Sequence, residues 1–137
     1  MQSQDPMILT LAEAKSIVDA AVAKARELNI IVTVAVCDTQ GHLIAFNRMD
    51  GVYGEANRFA IGKAVDSAAT GLPSAEVKGI VDHPAAAYVI AQGMPTSRVS
   101  GGLPIMRDGR IAGGCGVGGA SSHAQEEECA RAGIASL

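Results

Sequence analysis

Two very short turns constrain this chain more than anything else in it. The runs "IVTVAVCD" and "HLIAFNRM" are separated only by "TQG", and "GGLPIM" and "RIAGGCGV" only by "RDG". Gly41 supplies the backbone freedom the first turn needs, so each pair of runs reads as a hairpin. Hairpins make antiparallel neighbours, whereas a parallel pair needs a long crossover. Pro104 lacks an amide donor and argues for an edge or irregular position in the second hairpin.

Helical patterns fill the intervals. In "TLAEAKSIVDAAVAKARELN", Thr10 and Glu13 form a capping box, and Ala14, Ile17, Val18, Ala21, Val22, Ala25 and Leu28 make one apolar stripe. Asn29 is the expected stop. "GEANRFAIGKAVDSAATG" predicts a second helix ending near Gly71. "PSAEVKGIVD" predicts a third, capped by Ser74 and finished before Pro84, which pushes His83 out of helical geometry. Periodicity leaves "PAAAYVIAQG" open between helix and strand. Ser122 and Gln125 supply another capping box for a last helix. The order is helix, hairpin, helices, hairpin, helix: an α+β fold, not a doubly wound parallel one. At 137 residues this is a single domain over 8–137, preceded by a polar tail over 1–7.

Aromatic residues are only 3% of the chain, so the core must be built from Ala, Val, Ile and Leu. A net charge of -3 gives no basic field for nucleic acid. Cys37, Cys115 and Cys129 share no C-x-x-C spacing and are odd in number, so reduced thiols are expected. With no signal-peptide pattern and no long apolar run, the expectation is a cytoplasmic protein with no membrane association. Alanine-rich helices on so small a domain lead us to expect a homo-oligomer that buries them against copies.

Eight of the sixteen glycines fall between Gly101 and Gly119. Gly114, Gly116 and Gly119 spell G-x-G-x-x-G, but no βαβ unit follows and the chain ends 18 residues later, so a dinucleotide site is excluded. Two accounts stay open. Either a helix packs tightly on a glycine-rich sheet face, or a ligand lies against bare backbone at Gly101, Gly102, Gly118 and Gly119. Amides before Ala124 at the last helix start would favour a carboxylate or oxyanion there.

Among chemical candidates, His123, Glu126 and Glu127 share a face at helical spacing, which suits a His–carboxylate proton-transfer pair. A metal reading competes, but no second His-rich segment accompanies it and first-turn carboxylates ordinarily serve the helix dipole. No metal ligand is assigned. Arg58, beside Phe59 in an alanine-rich segment, is the better anchor for an acidic ligand, while Glu55 and Lys63 read as solvent-facing ion-pair partners. His83 is a loop candidate for an axial haem ligand or a base. Cys37 and Cys129 read as small core residues, and Cys115 as the one thiol with a route to a ligand.

The stretch "GGLPIMRDGRIAGGCGVGG", followed by a helix containing "AQEEECARAG", resembles the GlcG/HbpS family of haem-degrading-like domains. "LTLAEA", "VAVCDTQGHLIAFNRMDG" and the alanine-rich helix after it extend the resemblance from Ile8 over nearly the whole chain. It implies a profilin- or PAS-like antiparallel sheet flanked by helices, usually in a higher homo-oligomer. It also implies a small-ligand-binding domain, with haem or a related cyclic ligand as the cofactor. Gly118 replaces the family's Ser, Glu126 its Asp, and His123 a small residue, which suggests a pocket adapted to its own ligand. The alternative is a cofactor-free isomerase, lyase or hydrolase acting on a small acidic substrate. There His123 and Glu126 would move a proton, Arg58 hold a carboxylate, and amides at Gly118 and Gly119 stabilise an enolate.

Overall fold

The structure, a computed structural model, describes residues 8–77, 84–91 and 99–137. Helix α1 (Leu11–Glu27) is followed by strands β1 (Thr33–Cys37) and β2 (Leu43–Arg48), then helix α2 (Ala56–Thr70). A single 3-10 turn at Ser74–Glu76, helix α3 (Pro84–Ala91), strands β3 (Gly102–Arg107) and β4 (Arg110–Gly118), and helix α4 (His123–Ile134) complete the order. The four strands form one antiparallel sheet in the order β2-β1-β4-β3. The α+β expectation therefore holds, and Pro104 lies on an edge strand.

Local chemistry fixes the boundaries. The Thr10 hydroxyl accepts from the Glu13 amide while the Glu13 carboxylate accepts from the Thr10 amide. At the other end of α1, Asn29 takes the left-handed conformation (φ 61), with Asn29 N bonding Arg26 O and Ile30 N bonding Ala25 O. That paired pattern closes the last carbonyls of the helix. Asp108 and Gly109, at φ 53 and 75, make the two-residue turn between β3 and β4. Two consecutive positive φ values match the twist of the flanking strands. Opposite Ile105 and Met106, the register skips Ala112 as a bulge.

One expectation needs correction, and one open stretch is decided. Ser74 does not cap a long helix: the turn lasts three residues and Val77 is already extended. Its hydroxyl instead donates to Val99 O (2.6 Å) and accepts from Gly102 N (2.9 Å), tying this turn to the start of β3. Local preference lost to a buried long-range bond. "PAAAYVIAQG" resolves as helix over Pro84–Ala91.

Helices α1 and α4 cover one face of the sheet and α2 covers the other. The first side holds the main core, where Val34, Val36, Cys115 and Val117 meet Ile17, Val18, Ala21 and Cys129. On the α2 side, Ala35 and Cys37 meet Ala60, Ala64 and Ala68. Here the glycine question is answered. A Cβ at Gly114 would stand 2.0 Å from Ala64 O, one at Gly116 2.0 Å from Ala60 O, and one at Gly118 3.0 Å from Ala56 O. Alternate residues of β4 thus receive successive turns of α2, whose alanines recur every fourth position. The bare backbone is filled by a helix. Ala56, Ala60, Ala64 and Ala68 of α2 are accordingly buried inside the domain.

Candidate functional site

The same close approach carries one long polar side chain into the interior. Lys63 lies on the α2 face that presents Ala56, Ala60, Ala64 and Ser67, and it is 2% exposed. The expectation that Lys63 is a solvent-facing partner is therefore wrong. The signal was present in its position on the small-residue stripe, which a solvated lysine would interrupt. Gly101 (φ +129) makes room for it, since a Cβ there would be 2.8 Å from Lys63 Nζ and 2.6 Å from Val117 O.

Glu126, 1% exposed, descends from the first turn of α4 to meet Lys63. Lys63 Nζ donates to Glu126 Oε1 (2.8 Å) and to Val117 O (2.9 Å). Glu126 Oε2 accepts from Ala120 N at 3.0 Å. His123 Nδ1 lies 2.8 Å from Glu126 Oε1, with the imidazole 54% exposed. A buried charge this costly to desolvate persists only when paired and hydrogen-bonded, and here each charged atom has such partners. The result is a line of polar groups from Val117 O through Lys63 and Glu126 to a histidine at the surface.

His123 and Glu126 are thus brought together as the sequence suggested, but Glu127 turns away to Arg131 (2.7 Å). Among the described residues, no group of three or more His, Cys, Asp or Glu is arranged to hold a metal ion. The Ala120 amide before α4 is satisfied internally, because it donates to the carboxylate of Glu126. Ser122 Oγ takes the Gln125 amide (3.2 Å) as helix cap.

The other candidates sit differently. Gly102 packs against the Lys63 backbone (a Cβ would lie 2.5 Å from Lys63 O), and Gly118 against Ala56 and Ala60. Gly119 abuts Val52 and Ala56. Arg58 is 51% exposed and faces Glu55 at 3.7 Å, on the opposite side of α2 from Lys63. His83 lies outside the described residues. Cys115 has no route to a ligand. It is fully buried, and burial, with Cys37 and Cys129 nearby, pushes its thiol far up from the ordinary value. A shallow open groove of about 780 Å³ runs beside α1 between Leu11 and Ala20, but none of the candidate residues lines it. The charged, hydrogen-bonded cluster at His123 is where the candidates His123 and Glu126 meet.

The family described as haem-degrading protein HbpS-like matches residues 9–135. The chain belongs to the HbpS-like family. It is similar to Protein GlcG of Escherichia coli strain K12, with 36% identity over 114 residues, 81% of each chain. Among solved structures it resembles HbpS, with 31% identity and a TM-score of 0.79 over all of this chain and 93% of that one. The PduOC:haem complex is similar at 26% identity and a TM-score of 0.78, over 95% of each chain. No helix among the described residues is long and apolar enough to cross a membrane.

Proposed function

We propose that this protein is a small-ligand-binding domain that takes haem or a related planar macrocycle, with His123 as its surface ligand. The observation that carries this reading is His123 itself. Its Nδ1 is engaged by a buried carboxylate while the ring is half open to solvent, so the outward nitrogen is available to a ligand. An imidazole whose second nitrogen is hydrogen-bonded to a carboxylate is a common metal-ligand arrangement. The donor chemistry therefore suits an iron macrocycle. Tyr53, next to the Val52 that abuts Gly119, and Phe59, in the first turn of α2, are also exposed and offer aromatic surface at this end. Family membership and the haem-bound PduOC structure support the same ligand class. Bound haem would supply the redox and spectral properties; the chain's part is to bind and orient it.

Titrating haemin into the purified protein should give a saturable Soret shift at one haem per chain, altered in position or lost in His123→Ala. Absence of a shift, or an identical spectrum in the variant, overturns the reading.

The same dyad favours a second reading, in which His123 is a general base oriented by Glu126 and acts on a small carboxylic acid. Wild type would then exchange α-protons of such acids in deuterated water, and His123→Ala would not; no exchange across a panel removes it. Assembly is part of the proposal too. Exposed Leu11, Met106 and Leu137 lie around the continuous groove beside α1 and give copies an apolar face to bury. A monomer by light scattering would remove that element.

A further inference from the structure

We infer that Lys63 and Glu126 are positioning residues that hold His123 in one tautomer, with the proton on Nδ1 and the lone pair on the outward Nε2. The inference deepens the proposed site and rests on reading His123 as its reactive side chain.

Glu126 is 1% exposed and both of its oxygens face donors. Lys63 Nζ donates to Oε1 at 2.8 Å, itself held in place by Val117 O and given space by the missing side chain of Gly101. The Ala120 amide supplies a donor to the other oxygen. An ionised carboxylate has only lone pairs to offer. The neutral imidazole at 2.8 Å from Oε1 must therefore donate through Nδ1, which leaves Nε2 as the acceptor. Histidine free in water prefers the opposite form, with the proton on Nε2, so the preference must come from the protein. Lys63 Nζ donates to Val117 O and Glu126 Oε1, so it acts on the ring through Glu126.

The test uses the haem-free protein, labelled with ¹⁵N, at a pH where the ring is neutral. Long-range proton–nitrogen correlation spectra of His123 distinguish the two tautomers directly. Wild type should show mainly the Nδ1–H form. In Lys63→Met/Glu126→Leu, which replaces the buried pair by apolar groups of similar volume, the ratio of Nδ1–H to Nε2–H should fall about tenfold, the factor a hydrogen bond to a charged group is worth. Glu127→Gln, whose side chain faces Arg131 in the parent, should leave the ratio unchanged. A dominant Nε2–H form in wild type overturns the inference without any variant. An unchanged ratio in the folded double variant does so as well. Because no haem is present, this result stands apart from the Soret titration: either can fail while the other succeeds.

Discussion

Gly116→Ala is the sharpest probe of how the sheet and α2 meet. The new methyl would lie 2.0 Å from Ala60 O and 2.6 Å from Ala64 N, both backbone atoms that cannot rotate aside. Restoring even a tight 3.0 Å separation requires α2 to retreat by about 1 Å. Overpacking of this kind costs about 1–3 kcal/mol, more where backbone must move. Replacing glycine in a strand returns roughly 0.5–1 kcal/mol of conformational entropy. The expected net loss is about 2 kcal/mol, or roughly 8 °C in Tm for a domain of this size. Gly54→Ala is the control, because nothing lies within 4 Å of its added methyl. Compatible glycine-to-alanine changes are neutral or stabilising by about 0.4–1 kcal/mol. Urea denaturation of both variants, followed by far-UV circular dichroism, reads the difference. The retreat would also draw Lys63 away from Glu126, so the His123 tautomer ratio should fall in the same variant. If Gly116→Ala matches Gly54→Ala in midpoint with the same slope, the close seating of α2 on β4 is wrong.

Three further outcomes follow from local contacts. Ser74→Ala removes one hydrogen bond to Val99 O and one from Gly102 N and should cost about 1–3 kcal/mol by urea denaturation; a smaller loss would show that water replaces the hydroxyl. Burial raises Cys37 to about 12 and Cys129 to about 11, with Cys115 higher still, so Ellman's reagent at about pH 8 should find no fast thiol in the native protein and three after unfolding. The Thr10 amide, aided by Arg107, holds the Glu13 carboxyl below its ordinary 4.5. A lowered folded pKa gives stability that is present above the unfolded value and lost as pH falls through the folded one. The stability gap between wild type and Glu13→Gln should therefore narrow from about pH 7 to about pH 3, and a constant gap would refute the assignment.

What the sequence revealed was mostly chemistry within a few residues. The Thr10–Glu13 box, the Asn29 stop and the Asp108-Gly109 turn depend on neighbours in the chain, and each is where its residues put it. The His123–Glu126 contact was legible for the same reason, being three residues apart on one helix. Features set by distant partners were not. Ser74 looks like any helix cap until Val99 and Gly102 arrive beside it. Lys63 reads as a surface residue until α2 is laid on β4, and its partner is 63 positions away. The glycine cluster was visible but ambiguous, because a bare strand fits either a ligand or a helix. Only the match between alternate glycines and every fourth alanine decides for the helix.

That match is a vernier. Two residues of strand advance about 6.7 Å, whereas four residues of helix advance about 6.0 Å and rotate about 40° beyond a full turn. The two scales coincide over a short span and then slip, and the gaps at Gly114, Gly116 and Gly118 (2.0, 2.0 and 3.0 Å) record the slip. Lengthening both elements would therefore not extend the seam. Its slack end is at Gly118, so tolerance for added bulk should rise from Gly116 to Gly118 and end at Gly119, whose φ of +100 and contact with Val52 disfavour a side chain.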